Sequence, residues 1–303
     1  MRLAFHTLDV FTDRAFAGNP LAVVLAADGL DAAEMQRIAR EFNLAETIFV
    51  MSSQRPAHMA RVRIFTPRIE LPFAGHPLVG VAALLAELRT PETNGERDAL
   101  VVLETNIGTV RVGVRQRRGQ TAFAEFDAPK LPEKGPRLPP QEEIAAALGL
   151  IPSEIGFANF KPVVYSAGVP FAFVPVSTLS AIRQARPVMR HWEMTFSGSV
   201  PGAVYLFTRE TEHTTSHFHA RMFWPEAGIV EDPATGSAAA AFAGVVQQFD
   251  GLPDGLHKRV VEQGFVMGRP SLVNLSLEIA RGELGNVRIG GHSVRVSEGQ
   301  LWF

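Results

Sequence analysis

Three side chains of this chain could move a proton: Glu46, His76 and Asp232. Glu46 lies among apolar residues in the segment NLAETIFV, and a carboxylate buried there would be held partly neutral, as a general acid/base near neutral pH requires. His76 stands between a glycine and a proline, where an imidazole can donate to a substrate or relay a proton. Asp232 precedes Pro233 in a second loop. Together these groups indicate proton transfer on an acidic substrate.

Two loop-helix segments must position these side chains. FAGHPLVG, residues 73–80, opens onto VAALLA, and EDPATGSA, residues 231–238, opens onto a run of alanines. Such loops end a strand and set up a helix cap, here with Pro233, Thr235, Gly236 and Ser237. The N–H groups of such a helix start bind anions. Gly75, Gly236 and Ser237 could therefore present N–H groups to a substrate carboxylate. The two segments lie ~160 residues apart, which predicts two similar halves.

Arg269 and Ser271, in the turn-rich segment GRPS, could hold a carboxylate by charge-assisted hydrogen bonds. Each candidate also has a structural alternative, which the residues alone leave open. Glu46 could be an edge-strand carboxylate, His76 a cap histidine bonded to backbone, and Asp232 a capping aspartate. Arg269 could be a solvated arginine of a turn. The glycines could serve only to permit tight turns.

Composition excludes several classes of protein. The chain has 303 residues, 46% hydrophobic and 20% charged, which is typical of globular domains. A net charge of −2 gives no overall positive electrostatic potential that would attract nucleic acid or an anionic membrane. Cysteine is absent, which removes disulfides and thiolate chemistry and fits a reducing, cytoplasmic setting. Neither a signal peptide nor a membrane-spanning run is visible, so we expect no membrane partner.

The order of predicted elements favours an α+β fold with two domains. Alternating and branched segments predict many strands, among them two short ones at 287–289 and 293–296. Asp31 with Glu34 predicts a capping box at the start of a helix. The proline-rich segment 129–140 is the best linker, so we predict domains at 1–128 and 129–303. Whether the last strand returns to the first domain stays open. The second half repeats the order strand, strand, helix, strand, strand, loop, alanine-rich helix.

Metal and nucleotide chemistry have little support. Three histidines close together, at positions His213, His217 and His219, could indicate a metal-dependent hydrolase. No carboxylate follows at the spacing of a metal ligand, so an exposed polar strand is the better interpretation. The glycine-rich loops that bind nucleotide phosphates are missing, as is the GxSxG segment of serine hydrolases. We therefore expect no cofactor and no metal.

Several long motifs, in order along nearly the whole chain, resemble the phenazine-biosynthesis-like isomerases, which are relatives of diaminopimelate epimerase. They are DVFT with AFAGNPLAVV, MQRIAREFNLAETIFV, FAGHPLVG, EDPATGSA and QGFVMGRPS. The resemblance implies two pseudo-symmetric domains, each a β-barrel-like sheet wrapped around a central helix, with the active site in the cleft between them. It also implies a cytoplasmic enzyme that forms a homodimer.

By the same resemblance Glu46 is the general acid/base, His76 and Asp232 assist it, and Gly75, Gly236 and Ser237 lie near the substrate carboxylate. The epimerase relatives use two cysteines at the starts of the loop-helix segments. Ala74 and Ala234 lie in those regions here, so thiol-based epimerisation is excluded chemically. We therefore predict a cofactor-independent isomerase that shifts a proton between carbons of a small, cyclic or unsaturated carboxylic acid. A catalytically silent small-molecule-binding homologue is the alternative.

Overall fold

The computed structural model describes residues 2–89 and 96–302. The α+β class predicted from the sequence is confirmed, and the chain divides into two units. Unit 1 comprises Met1–Asp127 with Gly290–Phe303, and unit 2 comprises Ala128–Ile289. The final strand, β17 (Glu283–Trp302), begins in unit 2 and ends in unit 1.

The other elements of unit 1 are the strands β1 (Arg2–Val10), β2 (Asn19–Val24), β3 (Glu46–Met51), β4 (Ala60–Phe65), β5 (Glu70–Leu71), β6 (Arg97–Thr105), β7 (Gly108–Gln116) and β8 (Ala122–Asp127), with the helices α1 (Ala32–Phe42) and α2 (Gly75–Arg89). Those of unit 2 are the strands β9 (Glu133–Lys134), β10 (Val163–Ser166), β11 (Pro170–Pro175), β12 (Val204–Thr208), β13 (Phe218–Trp224), β14 (Ile229–Asp232), β15 (Gly255–Gln263) and β16 (Ser271–Ala280), with the helices α3 (Gln141–Leu148), α4 (Leu179–Gln184), α5 (Met189–Thr195) and α6 (Gly236–Asp250).

The two units repeat one order of strand pairing, as the duplicated sequence pattern predicts. In unit 1, β1–β2 is antiparallel, β2–β3 parallel, β3–β4 and β4–β5 antiparallel, β4–β6 parallel and β6–β7 antiparallel. In unit 2 the pairs β10–β11, β11–β12, β12–β13, β13–β14, β13–β15 and β15–β16 have the same orientations in the same order. In unit 1 the sheet closes into a barrel because β17 pairs with both β1 and β8.

The central helices α2 and α6 are buried on almost every side. In α2 the residues from Gly75 to Leu84 are all buried, and in α6 the run from Ala238 to Val246 is buried as well. A helix that is apolar all round belongs in the interior of a domain, and small side chains let the surrounding strands approach it closely. Each sheet therefore wraps a helix whose N-terminus follows one of the two predicted loops.

Outside the barrels, α1 covers unit 1 and packs Met35 and Ala39 onto the sheet. Its capping box is confirmed, because the side chain of Asp31 accepts from the Glu34 N–H at 2.8 Å and Glu34 accepts from the Asp31 N–H at 2.9 Å. In unit 2 the helices α3 to α5 form a second outer core with Trp192 fully buried in it.

The duplication extends to two carboxylates that each accept several hydrogen bonds. Glu104 on β6 and Glu262 on β15 occupy the same place in the two sheets, and each accepts two backbone N–H groups and one histidine Nδ1. For Glu104 the donors are Gln54, Arg55 and His58, and for Glu262 they are Glu212, His213 and His219. A carboxylate that accepts several hydrogen bonds stabilises the contact between a loop and a strand, and both units contain such a contact.

Three sequence predictions differ from the structure. Glu231 and Asp232, expected in a loop, are the last two residues of β14, which pairs with β13. The strands expected at 287–289 and 293–296 are parts of the single strand β17. His219, expected on an exposed polar strand, has no exposed surface, because β13 is buried on both faces. Burial raises the pKa of Glu262, but hydrogen bonds from His219 and from two backbone N–H groups outweigh this effect, so the pKa of Glu262 is lowered.

Candidate active site

Glu46 and His76 meet in unit 1. Glu46 is the first residue of β3, and His76 is the second residue of α2. The Nε2 atom of His76 lies 3.0 Å from Oε2 of Glu46. The side chain of Glu46 is 16% exposed and that of His76 is 5% exposed. The pair therefore combines a carboxylate that solvent can still reach with an imidazole that it barely reaches.

The imidazole of His76 is neutral at neutral pH. Burial lowers its pKa from 6.5 to about 3, because the charged form would lose its hydration. An ionised Glu46 at 3.0 Å would favour the charged form, but burial dominates. His76 is therefore a neutral hydrogen-bonding group beside Glu46 and does not form a salt bridge with it.

Gly75 begins α2 and is buried with the imidazole of its neighbour. The first turn of α2 carries no acidic side chain. Since the first N–H groups of a helix have no partner within the helix, the start of α2 presents donors to an anion. The sequence predicted such a role for Gly75, and it stays a prediction.

In unit 2, Asp232 is the last residue of β14 and is half-buried. The hydroxyl of Thr235 lies 2.5 Å from Oδ2 of Asp232. The side chain of Gln263, at the end of β15, donates to the backbone carbonyl of Asp232 at 2.8 Å and to Oγ1 of Thr235 at 3.0 Å. It also accepts the N–H of Thr235 at 3.2 Å. A buried amide thus holds the loop that leads into α6.

Gly236 and Ser237 are the first residues of α6. Thr235, which stands at the N-cap position, makes no side-chain cap bond to the helix, because its hydroxyl is engaged with Asp232 and Gln263. We expected Thr235 to help cap this helix, and that expectation was wrong. The hydrogen bond from Thr235 to Asp232 brings the Asp232 carboxylate beside the N-terminus of α6, where Gly236 is buried and Ser237 is half-buried.

Arg269 and Ser271 lie together at the start of β16. Ser271 is fully buried, and its hydroxyl donates to the backbone carbonyl of Arg269 at 3.0 Å. The backbone N–H of Arg269 donates to the carbonyl of Gly264, which closes the turn between β15 and β16. The serine hydroxyl is therefore engaged in this turn.

The three histidines considered as metal ligands take separate positions. Nδ1 of His217 accepts the N–H of Val260, and Nδ1 of His219 bonds to Glu262. The ring of His213 packs against Phe265. Within residues 2–89 and 96–302, no group of three or more His, Cys, Asp or Glu side chains is placed to hold a metal ion. No helix in the same ranges is long and apolar enough to cross a membrane.

Sequence reasoning missed the roles of Gln263 and Tyr205, and it expected Thr235 only as part of a helix cap. Tyr205, on β12, is fully buried, and its hydroxyl has no hydrogen-bond partner in the part of the chain that the structure describes. Burial and the charge of Asp232 raise the pKa of Tyr205. Met222 stands between Tyr205 and Asp232 in strand register. The motif QGFVMGRPS did contain Gln263, but only the pairing of β13 with β15 brings its amide to the loop.

The fold and the relatives of this chain together identify it as an enzyme of the isomerase class. A family model described as phenazine biosynthesis-like protein matches residues 8–299. The chain belongs to this family, as the motifs predicted.

Named relatives agree with this class. The chain is 49% identical to an uncharacterized isomerase of Mesorhizobium japonicum, over 97% of each chain. It is 35% identical to the trans-2,3-dihydro-3-hydroxyanthranilate isomerase of Pseudomonas aeruginosa, over 98% of this chain and 99% of that one. A crystal structure of a PhzF-family phenazine biosynthesis protein of Bacillus anthracis matches with a TM-score of 0.87 and 27% identity, over 100% of both chains. A small molecule is therefore the class of substrate that its relatives indicate.

Proposed function

We propose that this chain isomerises a small, cyclic or unsaturated carboxylic acid by moving one proton between two of its carbons, without a cofactor. Glu46 is the general acid/base. The observation that carries the proposal is the approach of a partly accessible Glu46 carboxylate to a buried, neutral His76 at 3.0 Å.

In the first step the Glu46 carboxylate takes a proton from carbon, and the electron pair of the C–H bond moves into the adjacent unsaturated system. In the second step the protonated Glu46 returns the proton to a different carbon, which restores a neutral hydrocarbon frame with its double bond moved. The proton and the electron pair are conserved, so the reaction needs no oxidant or reductant. A carboxylate in this role must lie within hydrogen-bond reach of the carbon acid.

His76 supports the reaction as a neutral group. Its lowered pKa removes it as a competing base at neutral pH, and its imidazole can steady the proton on Glu46 through the 3.0 Å contact. The N-terminus of α2, with Gly75, is one candidate to bind the substrate carboxylate, and the N-terminus of α6, with Gly236, Ser237 and an assisting Asp232, is a second candidate. Arg269 and Ser271 contribute to binding through the turn that they form. Helix starts stabilise negative charge as it develops during proton abstraction.

The alternative of a silent binding protein would be favoured by a Glu46 carboxylate that is exposed. Its side chain is only 16% exposed and contacts His76, which supports turnover instead.

Two of the named relatives suggest a first compound to try. The P. aeruginosa enzyme and one from Pseudomonas chlororaphis are trans-2,3-dihydro-3-hydroxyanthranilate isomerases.

The test is solvent deuterium incorporation into trans-2,3-dihydro-3-hydroxyanthranilate and into simpler cyclohexadiene carboxylates, followed by NMR and mass spectrometry. We expect Glu46→Gln to slow incorporation by at least ~100-fold, the usual contribution of a general acid/base. Glu87→Gln is the matched control, because Glu87 lies on the same helix as His76 with a side chain that is 41% exposed. Equal incorporation by wild type and Glu46→Gln would rule out Glu46 as the proton carrier.

A further inference from the structure

The amide of Gln263 can adopt only one orientation. Its Oε1 accepts the N–H of Thr235, and its Nε2 donates to the carbonyl oxygen of Asp232. Turning the amide over would set oxygen against a carbonyl and nitrogen against an N–H, so both bonds would be replaced by repulsion. Gln263 is fully buried, where such a mismatch has no solvent to relieve it. Two backbone groups therefore determine which end of the amide is the donor.

That orientation decides the direction of the next two hydrogen bonds. The second proton on Nε2 of Gln263 points to Oγ1 of Thr235 at 3.0 Å, so the hydroxyl oxygen acts as an acceptor there. The hydroxyl proton is then available for Oδ2 of Asp232 at 2.5 Å. The chain of donors runs from Gln263 through Thr235 to Asp232. Oδ2 of Asp232 is therefore a hydrogen-bond acceptor, and donors to a carboxylate favour its ionised form.

Unit 1 shows that the fold itself does not require this arrangement. A constant offset in residue number relates Gly75 to Gly236 at the two helix starts, and the same offset relates Ala74 to Thr235. Ala74 has no hydroxyl. On the strand that follows the helix, the pairing of β4 with β6 places Thr105 where unit 2 has Gln263. The hydroxyl of Thr105 donates to the carbonyl of Gly108 in a hairpin. The same scaffold is thus built without the hydrogen-bonded chain.

We propose that Thr235 and Gln263 are positioning residues of the isomerase, which hold Asp232 at the start of α6 as an ionised acceptor. Asp232 then serves the reaction as a fixed negative charge and hydrogen-bond acceptor, and the transferred proton does not reside on it. This inference rests on the proposed function for its catalytic consequence. The direction of the hydrogen bonds can be tested without any substrate.

The substrate-free test observes the hydroxyl proton of Thr235 by NMR in protein labelled with ¹³C,¹⁵N-threonine. We expect a resonance protected from exchange with water, with a nuclear Overhauser contact to the Asp232 methylene, that disappears in Thr235→Val. In Gln263→Glu the donor Nε2 becomes an acceptor of the same shape, and we expect the hydroxyl proton to exchange at least ~10-fold faster. Gln248→Glu is the matched control, because Gln248 lies on α6 and accepts only a tyrosine hydroxyl among the described contacts.

The catalytic test measures deuterium incorporation into trans-2,3-dihydro-3-hydroxyanthranilate as kcat and KM. We expect Thr235→Val and Gln263→Glu to lower kcat by about 10- to 100-fold, the loss for one hydrogen bond to a charged group, with a smaller change in KM. Thr235→Ser keeps the hydroxyl and should stay within ~3-fold of wild type. If Thr235 had only a structural role, the loss of kcat in Thr235→Val would come with a lower melting temperature. We expect instead that Thr235→Val keeps the melting temperature of wild type and that Thr235→Ser keeps its kcat.

The outcomes separate cleanly. A folded wild-type protein without a protected Thr235 hydroxyl proton contradicts the direction of the hydrogen bonds. A protected proton with unchanged kcat in both Thr235→Val and Gln263→Glu contradicts the positioning role. If wild type exchanges no deuterium into any acid offered, the proposed function fails, and the NMR result still decides the direction. If Gln263→Glu does not fold, Thr235→Val with Thr235→Ser carries the test.

Discussion

Arg63 in unit 1 and Arg221 in unit 2 make the same two interactions. Each donates its Nε and Nη2 to both oxygens of one glutamate on the next strand, at 2.6–2.8 Å for Glu70 and 2.8 Å for Glu231. Each also lies over the ring of the phenylalanine two residues further on, with Cζ 5.2 Å and 4.7 Å from the ring centroid. The duplication was therefore kept in side-chain contacts as well as in strand order.

The two arginines differ in what Nη1 does, which predicts unequal effects of substitution. Nη1 of Arg221 donates to three backbone carbonyls around α4, and its side chain is 7% exposed, against 19% for Arg63. Lysine cannot reproduce the planar fork. We expect Arg221→Lys to cost about 3 kcal/mol of unfolding free energy and Arg63→Lys about 1 kcal/mol. Urea unfolding followed by tryptophan fluorescence measures both, and equal costs would contradict the role of the carbonyl contacts.

The neutral state of His76 predicts a dependence of stability on pH. Its folded pKa of about 3 lies below the unfolded value of 6.5, so between these values the unfolded chain binds a proton that the folded chain does not. Stability is lost as pH falls from 6.5 towards 3, by up to about 1.4 kcal/mol per pH unit, and His76 contributes no slope above pH 6.5. His76→Gln should remove that slope in urea titrations at pH 5 to 6.5. Parallel curves for wild type and variant would show that His76 is protonated in the folded protein.

The two tyrosines of the chain predict opposite effects of losing a hydroxyl. The buried hydroxyl of Tyr205 has no partner among the described residues, whereas that of Tyr165 donates to Gln248 at 2.8 Å. We expect Tyr205→Phe to raise the unfolding free energy by about 1 kcal/mol and Tyr165→Phe to lower it by about 0.5–1 kcal/mol. Denaturant unfolding tests both variants. A loss of stability in Tyr205→Phe would reveal a partner for that hydroxyl in solution, such as a water molecule.

Gly80 permits the close approach of α2 to the sheet. A Cβ at this position would lie 2.6 Å from Cδ2 of Leu21 and 2.8 Å from Cγ2 of Val10. Alanine improves helix propensity by up to about 1 kcal/mol, but overpacking costs about 1–3 kcal/mol. We therefore expect Gly80→Ala to lower the unfolding free energy. Gly113→Ala is the control, because a Cβ there meets nothing closer than a carbonyl oxygen at 3.8 Å, and a larger loss in the control would contradict the packing argument.

The family, the α+β class and the starts of both central helices could be predicted from the sequence. Glu46, Gly75 and Gly236 stand where an element begins, and glycine, proline and capping residues mark such points locally. The sequence predicts two strands where the structure has the single strand β17, because Gly290 and Gly291 interrupt its apolar pattern. Both glycines instead admit close neighbours, Phe11 beside Gly291 and Glu125 beside Gly290.

The remaining contacts at the site depend on register, which local patterns do not contain. Gln263 reaches Thr235 because β15 pairs in parallel with β13, a relation between distant segments. Tyr205 stands in the apolar segment VYLFT, where its hydroxyl gives no periodic signal. His219 was misplaced because a polar residue in a strand predicts exposure, whereas Glu262 supplies its partner inside the protein.

The pairing of β1 with β17 sets the order in which the chain can complete its fold during synthesis. Arg2 to Val10 are made before unit 2, and their partners, Ser293 to Trp302, are made after it. Unit 2 is entirely translated before those partners emerge. The barrel of unit 1 must therefore wait on the ribosome with one edge of β1 unpaired, an aggregation-prone state, while its neighbour is free to fold.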